Sequence, residues 1–468
     1  MRLSSVFEKV RNRWVDPSGY KVVLRIGLPL VASMASSTIM QFTDRLFLSH
    51  YSLDAIAAAV PAGMPFLVIL LSLMGVAEYA GVFIAQFTGA QMPEKVGRVL
   101  WQALIISFAG ALVFVVISFF SKNLFALAGH EAHLQAMEVE YFRILCLGGG
   151  FALVTASLSC FFSGRGQTRP VMVANIAAAM VNIPMDYVLI FGKFGFPAMG
   201  IAGAAIATVL GWIVGCACIV ILVFRPKHEA RYKIWSSRGL DLPLLRRILR
   251  YGVAGGLEYF LEFVGYTLFI FMVGSLGATP LAVSNIISSI SSLGFLPCLG
   301  LHVATSALVG QAMGRKDQAA AARVTGSALH LALLYMGCVA LLFVSIPGVF
   351  MDLFRPDSMS LAEFAAVKDE GQIILYFLAV YYIADAFTLV YYGGLKGAGD
   401  IWFVMFSIAF GAMCLVLGCL ISLRFFPTSL PALWVVFSLY IILLACISGV
   451  RFKRGRWKKK RILEGLTE

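Results

Sequence analysis

About twelve stretches of this chain stay apolar for roughly 20 residues or more, long enough to cross a hydrocarbon layer about 30 Å thick as α-helices. That feature decides most of what the chain can fold into. Lipid offers no hydrogen bonds, so a spanning segment must satisfy its own backbone as a helix or within a closed barrel. These stretches are too long and too evenly apolar for barrel strands, which run about 10 residues and alternate in polarity. The pattern predicts spans at 22-48, 56-86, 99-120, 139-161, 170-192, 200-224, 248-274, 281-312, 324-350, 371-395, 401-424 and 430-450. Composition agrees: 60% of residues are hydrophobic and 13% charged, and the mean hydropathy of +0.88 exceeds that of soluble domains. The expected fold class is an all-α integral membrane protein with twelve transmembrane helices.

A formal charge of +13 would suit a nucleic-acid binder, but the basic residues fall in short connections and tails, not on one soluble face. No nucleic-acid partner is expected. The N-terminal arm (Arg2, Lys9, Arg11, Arg13, Lys21), the connections with Lys95/Arg98, Arg165/Arg169, Arg225 to Arg250, Arg315/Lys316 and Lys396, and the tail RFKRGRWKKKR are basic. The alternate connections are not: 49-55 and 275-280 lack Lys and Arg, and 351-370 is net acidic through Asp352, Asp357, Glu363, Asp369 and Glu370. The positive-inside rule then puts both termini in the cytoplasm, which requires an even number of spans. The arm has no apolar core before residue 21 and does not read as a cleaved signal. All nine cysteines lie within predicted spans and none has disulfide or metal spacing.

Laid on itself at an offset of 225, the chain matches Leu24, Arg25, Gly27, Gly75, Gln86, Gly89, Arg98 and Val99 to Leu249, Arg250, Gly252, Gly300, Gln311, Gly314, Arg323 and Val324. At an offset of 233, SGRGQTRPVM (163-172) meets KGAGDIWFVM (396-405). Two six-span halves that start on the same side form a parallel repeat, with a pseudo-two-fold axis along the membrane normal. The expected organisation is a cytoplasmic amphipathic arm at 1-21, an N-lobe at 22-224, a cytoplasmic linker at 225-247, a C-lobe at 248-450 and a basic tail at 451-468. The linker turns amphipathic toward its end and could lie along the membrane surface.

Six acids fall inside spans: Asp44, Glu78, Asp186, Glu258, Glu262 and Asp385. A carboxylate at mid-membrane costs about 2.5–3.5 kcal/mol on insertion scales, so several together point to use. Asn182 with Asp186, Glu258 with Glu262, and Tyr381 with Asp385 are each four residues apart and share a helix face. Such oxygens in a low dielectric suit a hard cation such as Na⁺, and a carboxylate kept from water can carry H⁺ instead. A hydrogen bond between helices is the structural alternative, weightiest for Glu78 and Glu258. The acids do not follow the repeat: Asp44 maps to Phe269, Glu262 to Ser37, Asp385 to Ala152 and Asp186 to Cys419. Shared residues are mostly glycines and loop arginines suited to packing and topology, whereas the acids are private to each half. Arg45 points away from Asp44 around the helix and reads as an interfacial anchor. His302 and His330 read as hydrogen-bonded in place.

No HExxH, phosphate-binding GxxxxGK[ST] or GxSxG elbow occurs in a usable context, so neither ATP hydrolysis nor an enzyme activity is expected and no cofactor is implied. QFTDRLFL in span 1, FFSGRGQTRPVMVANIAAAMVNIPMDYVLIFGKFG across spans 4 and 5, LEYFLEFVGYTLFIFMVGSLG in span 7 and YYIADAFTLVYYGGLKGAGD in span 10 resemble the multidrug and toxic compound extrusion (MATE) transporters, most closely their bacterial NorM-like branch. The resemblance runs nearly end to end. It implies two lobes in the bacterial inner membrane that export cationic or amphipathic compounds in exchange for H⁺ or Na⁺, acting as a monomer among membrane lipids. It also implies that Asp44, Asn182 and Asp186, with Thr208, form an N-lobe cation or proton site, and that Glu262, Asp385 and Tyr381 form a C-lobe cation site. Glu78 and Glu258 are secondary candidates. A flippase for lipids or lipid-linked oligosaccharides is the alternative, and a membrane-embedded enzyme is the more distant one.

Overall fold

The computed structural model describes residue 8, residues 11–355 and residues 361–466; Arg2, Lys9 and Asp357 of the charge pattern lie outside them. Among the described residues, twelve helices are long and apolar enough to cross a membrane. They are α1 (Tyr20–Tyr51), α2 (Leu53–Gly89), α3 (Pro93–Phe119), α4 (Ala132–Ser163), α5 (Arg169–Phe191) and α6 (Gly200–Val223). The second set is α7 (Leu242–Gly274), α8 (Ala278–Gly314), α9 (Gln318–Ser345), α10 (Leu361–Ala398), α11 (Ile401–Phe425) and α12 (Leu430–Lys453).

Several helices outrun their predicted spans because hydropathy registers only the part in hydrocarbon, while hydrogen bonding carries the helix on into polar turns. Thus α7 starts at Leu242 and α4 at Ala132. The ends are capped by ordinary means. Ser52 accepts from Asp54 N–H at 3.2 Å, Asp317 accepts from Ala320 N–H at 2.8 Å, and Gly192 closes α5 in the left-handed region at φ 66. One break lies inside a span: α2 is continuous only to Glu78 and resumes at Ala80.

The chain divides into two compact units. One comprises residues 28–260, 310–316 and 462–468; the other comprises 1–27, 261–309 and 317–461. The divisions cut α1 after Gly27 and α7 before Leu261, so each unit borrows the start of a helix from the other half of the sequence. Glycines make this possible. In the first unit a Cβ on Gly252 would lie 2.4 Å from the Val76 carbonyl oxygen, and one on Gly75 would lie 2.7 Å from that of Gly255, so α2 and α7 meet backbone to backbone. In the second, Gly27 of α1 packs on Gly300, Leu301 and Ala304 of α8. Arg13 donates to Ser327 Oγ at 2.9 Å and to the Arg323 carbonyl, and Tyr20 bonds His330, so the amphipathic arm is held by α9.

The first unit's core gathers Leu48, Phe66, Leu70, Phe114, Phe142 and Leu145 with small alanines of α2 and α6. Ser107 and Ser157 bond each other at 2.6 Å and carbonyls of the facing helix, joining α3 to α4 without leaving a buried hydroxyl unsatisfied. After α6 the connection forms a short helix, Pro226–Tyr232, whose His228 and Tyr232 are buried. Arg165 stacks on Phe161 and Tyr232 there, 3.6 and 4.5 Å from the ring centroids.

Candidate functional site

In the first unit, α1, α4 and α5 bring three polar side chains into an otherwise apolar interior. Asp44 of α1 and the Tyr141 hydroxyl of α4 face each other within interaction reach. Asp186 of α5 acts electrostatically on Asp44 and Tyr141. Asn182, one turn before Asp186, completes the group, and both are fully buried. Asn182 and Asp186 approach each other without a well-directed hydrogen bond: the amide of Asn182, both Asp186 oxygens and Asp44 Oδ1 have no hydrogen-bond partner among the described residues. Buried polar groups are nearly always paired, so converging oxygens in this condition mark a place built for something other than packing.

The backbone around the group is close-set. Gly211 of α6 faces Asn182, where an added Cβ would lie 3.1 Å from that of Asn182, and Asn175 donates to Ser33 Oγ, tying α5 to α1 nearer its start. Thr208 is half-buried on α6, one turn before Gly211, and among the described residues no hydrogen bond joins it to the aspartates. Arg45 is exposed, as an anchor should be, yet stands close enough to act on Asp44 and Tyr141.

The second unit holds a separate group. Asp385 and Tyr381 of α10 are buried at 5% and 7% exposure. The Tyr381 hydroxyl bonds Ser291 Oγ of α8 at 2.9 Å, and Tyr382 donates to the Ser291 carbonyl at 2.6 Å. Asp385 acts on both phenols and on Cys298 of α8, and its Oδ2 has no hydrogen-bond partner among the described residues. Glu262 of α7 is exposed; Tyr440 of α12 lies within electrostatic reach of both Glu262 and Asp385. Four helices thus contribute to the group.

Glu78 and Glu258 belong to neither arrangement as described. Glu78 stands at the break in α2, where its carbonyl accepts from the Cys160 thiol at 3.5 Å. Glu258 is buried on α7. The histidines are hydrogen-bonded in place: His302 Nδ1 donates to the Leu389 carbonyl at 2.8 Å, and His330 bonds Tyr20. Sequence reading missed Tyr141, Ser291 and Tyr440. Their only signal was being polar-tipped residues in spans, shared with many tyrosines and serines that merely pack.

The family model described as MatE matches residues 29–188 and 256–421. A probable multidrug resistance protein NorM of Thermotoga maritima is 24% identical, covering 98% of this chain and 97% of its own length. The multidrug resistance protein NorM of Burkholderia vietnamiensis is 29% identical over 83% of each chain. Among solved structures, an outward-facing multidrug resistance MATE family transporter of the MOP superfamily superposes with a TM-score of 0.86 at 21% identity, covering 97% of this chain and 99% of that one. A MOP superfamily transporter from Pyrococcus furiosus gives 0.85 at 21% identity, covering 96% and 99%. At that identity the likeness to solved structures is one of fold.

Proposed function

The chain belongs to the MatE family, and from that premise we propose that it exports cationic or amphipathic small molecules across a bacterial cytoplasmic membrane in exchange for H⁺ or Na⁺. It is a secondary active multidrug efflux transporter working by alternating access. The observation that carries the coupling proposal is the meeting of Asp44, Asn182 and Asp186 around Tyr141, with carboxylate oxygens left unbonded in an apolar interior. Two carboxylates so placed repel each other unless a cation lies between them. Cation and drug then favour different arrangements of the protein, and the difference in their affinities drives the exchange. Each net charge moved inward gains about 2.3 kcal/mol per 100 mV, roughly a fifty-fold gradient for an uncharged drug. A monovalent cationic drug exchanged one for one moves no net charge and is driven by the ion concentration gradient.

The group at Asp385, Tyr381 and Glu262 is the second cation site in this reading. Thr208 supplies a further oxygen to the first when the helices shift. The basic connections support cytoplasmic termini, with the N-lobe at 22-224, the linker at 225-247 and the C-lobe at 248-450, and the protein works as a monomer surrounded by lipid.

Ethidium efflux from proteoliposomes under separately imposed ΔpH and Na⁺ gradients identifies the ion. One gradient alone should drive transport well above the leak, and no response to either would sink the antiport reading. In the same assay Tyr141→Phe removes the hydroxyl that faces Asp44 and can bond it when the site is charged. A bond to a charged group is worth about 1.5–3 kcal/mol, so the ion concentration for half-maximal efflux should move about tenfold or more. An unmoved ion dependence would exclude Tyr141 from the site.

A further inference from the structure

We infer that the basic end of α12 holds the head of an anionic phospholipid, with the acyl chains lying along the helix. The tail after α12 is folded, not frayed. Gly455 turns the chain at φ 66, and a 3-10 helix over Arg456–Lys459 follows. Trp457 is fully buried, stacked on Phe452 at 4.9 Å, with its indole N–H donating to the Phe452 carbonyl at 3.0 Å; Phe452 in turn stacks on Tyr391 of α10. Asp400, 1% exposed, pins the turn from the α10–α11 corner. It accepts from Arg451 Nε and Nη2 at 2.8 and 3.1 Å and pairs with Lys460 Nζ at 3.0 Å.

That arrangement sorts the cations. Arg451 and Lys460 share Asp400, while Arg454 and Arg456 are exposed and, among the described residues, pair with no carboxylate. These two, with Arg451, border a hollow of about 370 Å³ whose remaining walls are apolar, formed by Phe403, Cys446, Ile447 and Val450. A second hollow borders the first at Cys446. It is larger, about 650 Å³, and runs between α10 and α12 past Ile442, Val380 and Phe387. Val450 to Ile442 is about 12 Å of helix, a good part of an acyl chain within one leaflet.

An occupant must therefore carry negative charge at one end and be apolar along its length. Inorganic phosphate matches the arginines and leaves the apolar track unused. A zwitterionic lipid brings its own ammonium into a region already rich in Arg454, Arg456, Lys458 and Lys459. A phosphatidylglycerol-type or dianionic phospholipid meets both requirements, and basic pockets at helix ends are a known form of lipid recognition.

The test is native mass spectrometry of the full-length protein in detergent, titrated with phosphatidylglycerol, cardiolipin, phosphatidylcholine and, separately, inorganic phosphate. Wild type should retain the anionic lipids at least about fivefold better than phosphatidylcholine, and millimolar phosphate should not displace them. Arg454→Gln/Arg456→Gln should lose that preference. Lys458→Gln/Lys459→Gln removes the same charge from the same tail but outside the hollow and should keep it. Cys446→Trp, which fills the junction of the two hollows and leaves every charge in place, should also weaken retention; it keeps the test open should the arginine variant fail to fold. Equal retention of phosphatidylcholine by wild type, equal loss in the lysine variant, or displacement by phosphate would each overturn the assignment.

Discussion

Asp186→Asn should reduce ion-driven ethidium efflux to the level of cells lacking the protein, while the variant accumulates in the membrane at least as well as wild type. The two halves of that expectation have one cause. Asp186 is fully buried, and neither of its oxygens has a hydrogen-bond partner among the described residues. A carboxylate at mid-membrane costs about 2.5–3.5 kcal/mol on insertion scales. Asparagine keeps the shape and removes the charge, so stability should hold or rise by about 1 kcal/mol, as happens when a strained functional group is neutralised. The coupling cation loses one of its two counter-charges. Asp44→Asn should do the same from the other side of the pair, and Asp385→Asn should do so at the second group. Efflux at the wild-type rate in both Asp44→Asn and Asp385→Asn would remove the carboxylates from the mechanism. Loss of efflux together with loss of protein from the membrane would mean that the acids hold the fold, and the coupling proposal would fail there too.

Those acids were legible in the sequence because their cost in lipid has few alternative explanations. The rest of each site was not. Asp44 and Asp186 lie on helices far apart in the chain, and the group that joins them, Tyr141, sits on a third helix where a phenol among apolar neighbours looks like packing. The same holds for Ser291 and Tyr440 beside Asp385. Helix periodicity assigns a residue to a face of its own helix but says nothing about which helix that face meets. The break of α2 after Glu78 was equally hidden, since no proline or glycine stands at Tyr79 to announce it. Nor did the charge pattern foretell the tail. RFKRGRWKKKR reads as a solvated basic run, and only the fold shows Trp457 buried beneath it and Asp400 sorting its cations.

The repeat was legible in another way: it named residues shared by the halves without saying what they do together. Gln86 and Gly89 match Gln311 and Gly314 at the offset of 225, and in the first unit these four residues meet one another. A Cβ on Gly89 would lie 1.9 Å from the Gln311 carbonyl oxygen, and one on Gly314 would lie 1.9 Å from that of Gln86. Each glycine thus faces the backbone of its counterpart's neighbour three residues earlier. Neither obstacle is a side chain that could swing aside, so alanine at either position forces the ends of α2 and α8 apart, at a cost of about 1–3 kcal/mol for overpacking. One separation relieves both clashes. Gly89→Ala and Gly314→Ala should therefore each lower the melting temperature of the purified protein by several degrees, and the double variant should cost clearly less than their sum. Gly337→Ala in α9 is the control, because its Cβ would meet only Ile383 Cδ1 at 3.9 Å and the helix gains about 1 kcal/mol of propensity. Additive losses would show two independent contacts in place of one reciprocal seam, and an unchanged melting temperature in both single variants would show no tight seam at all.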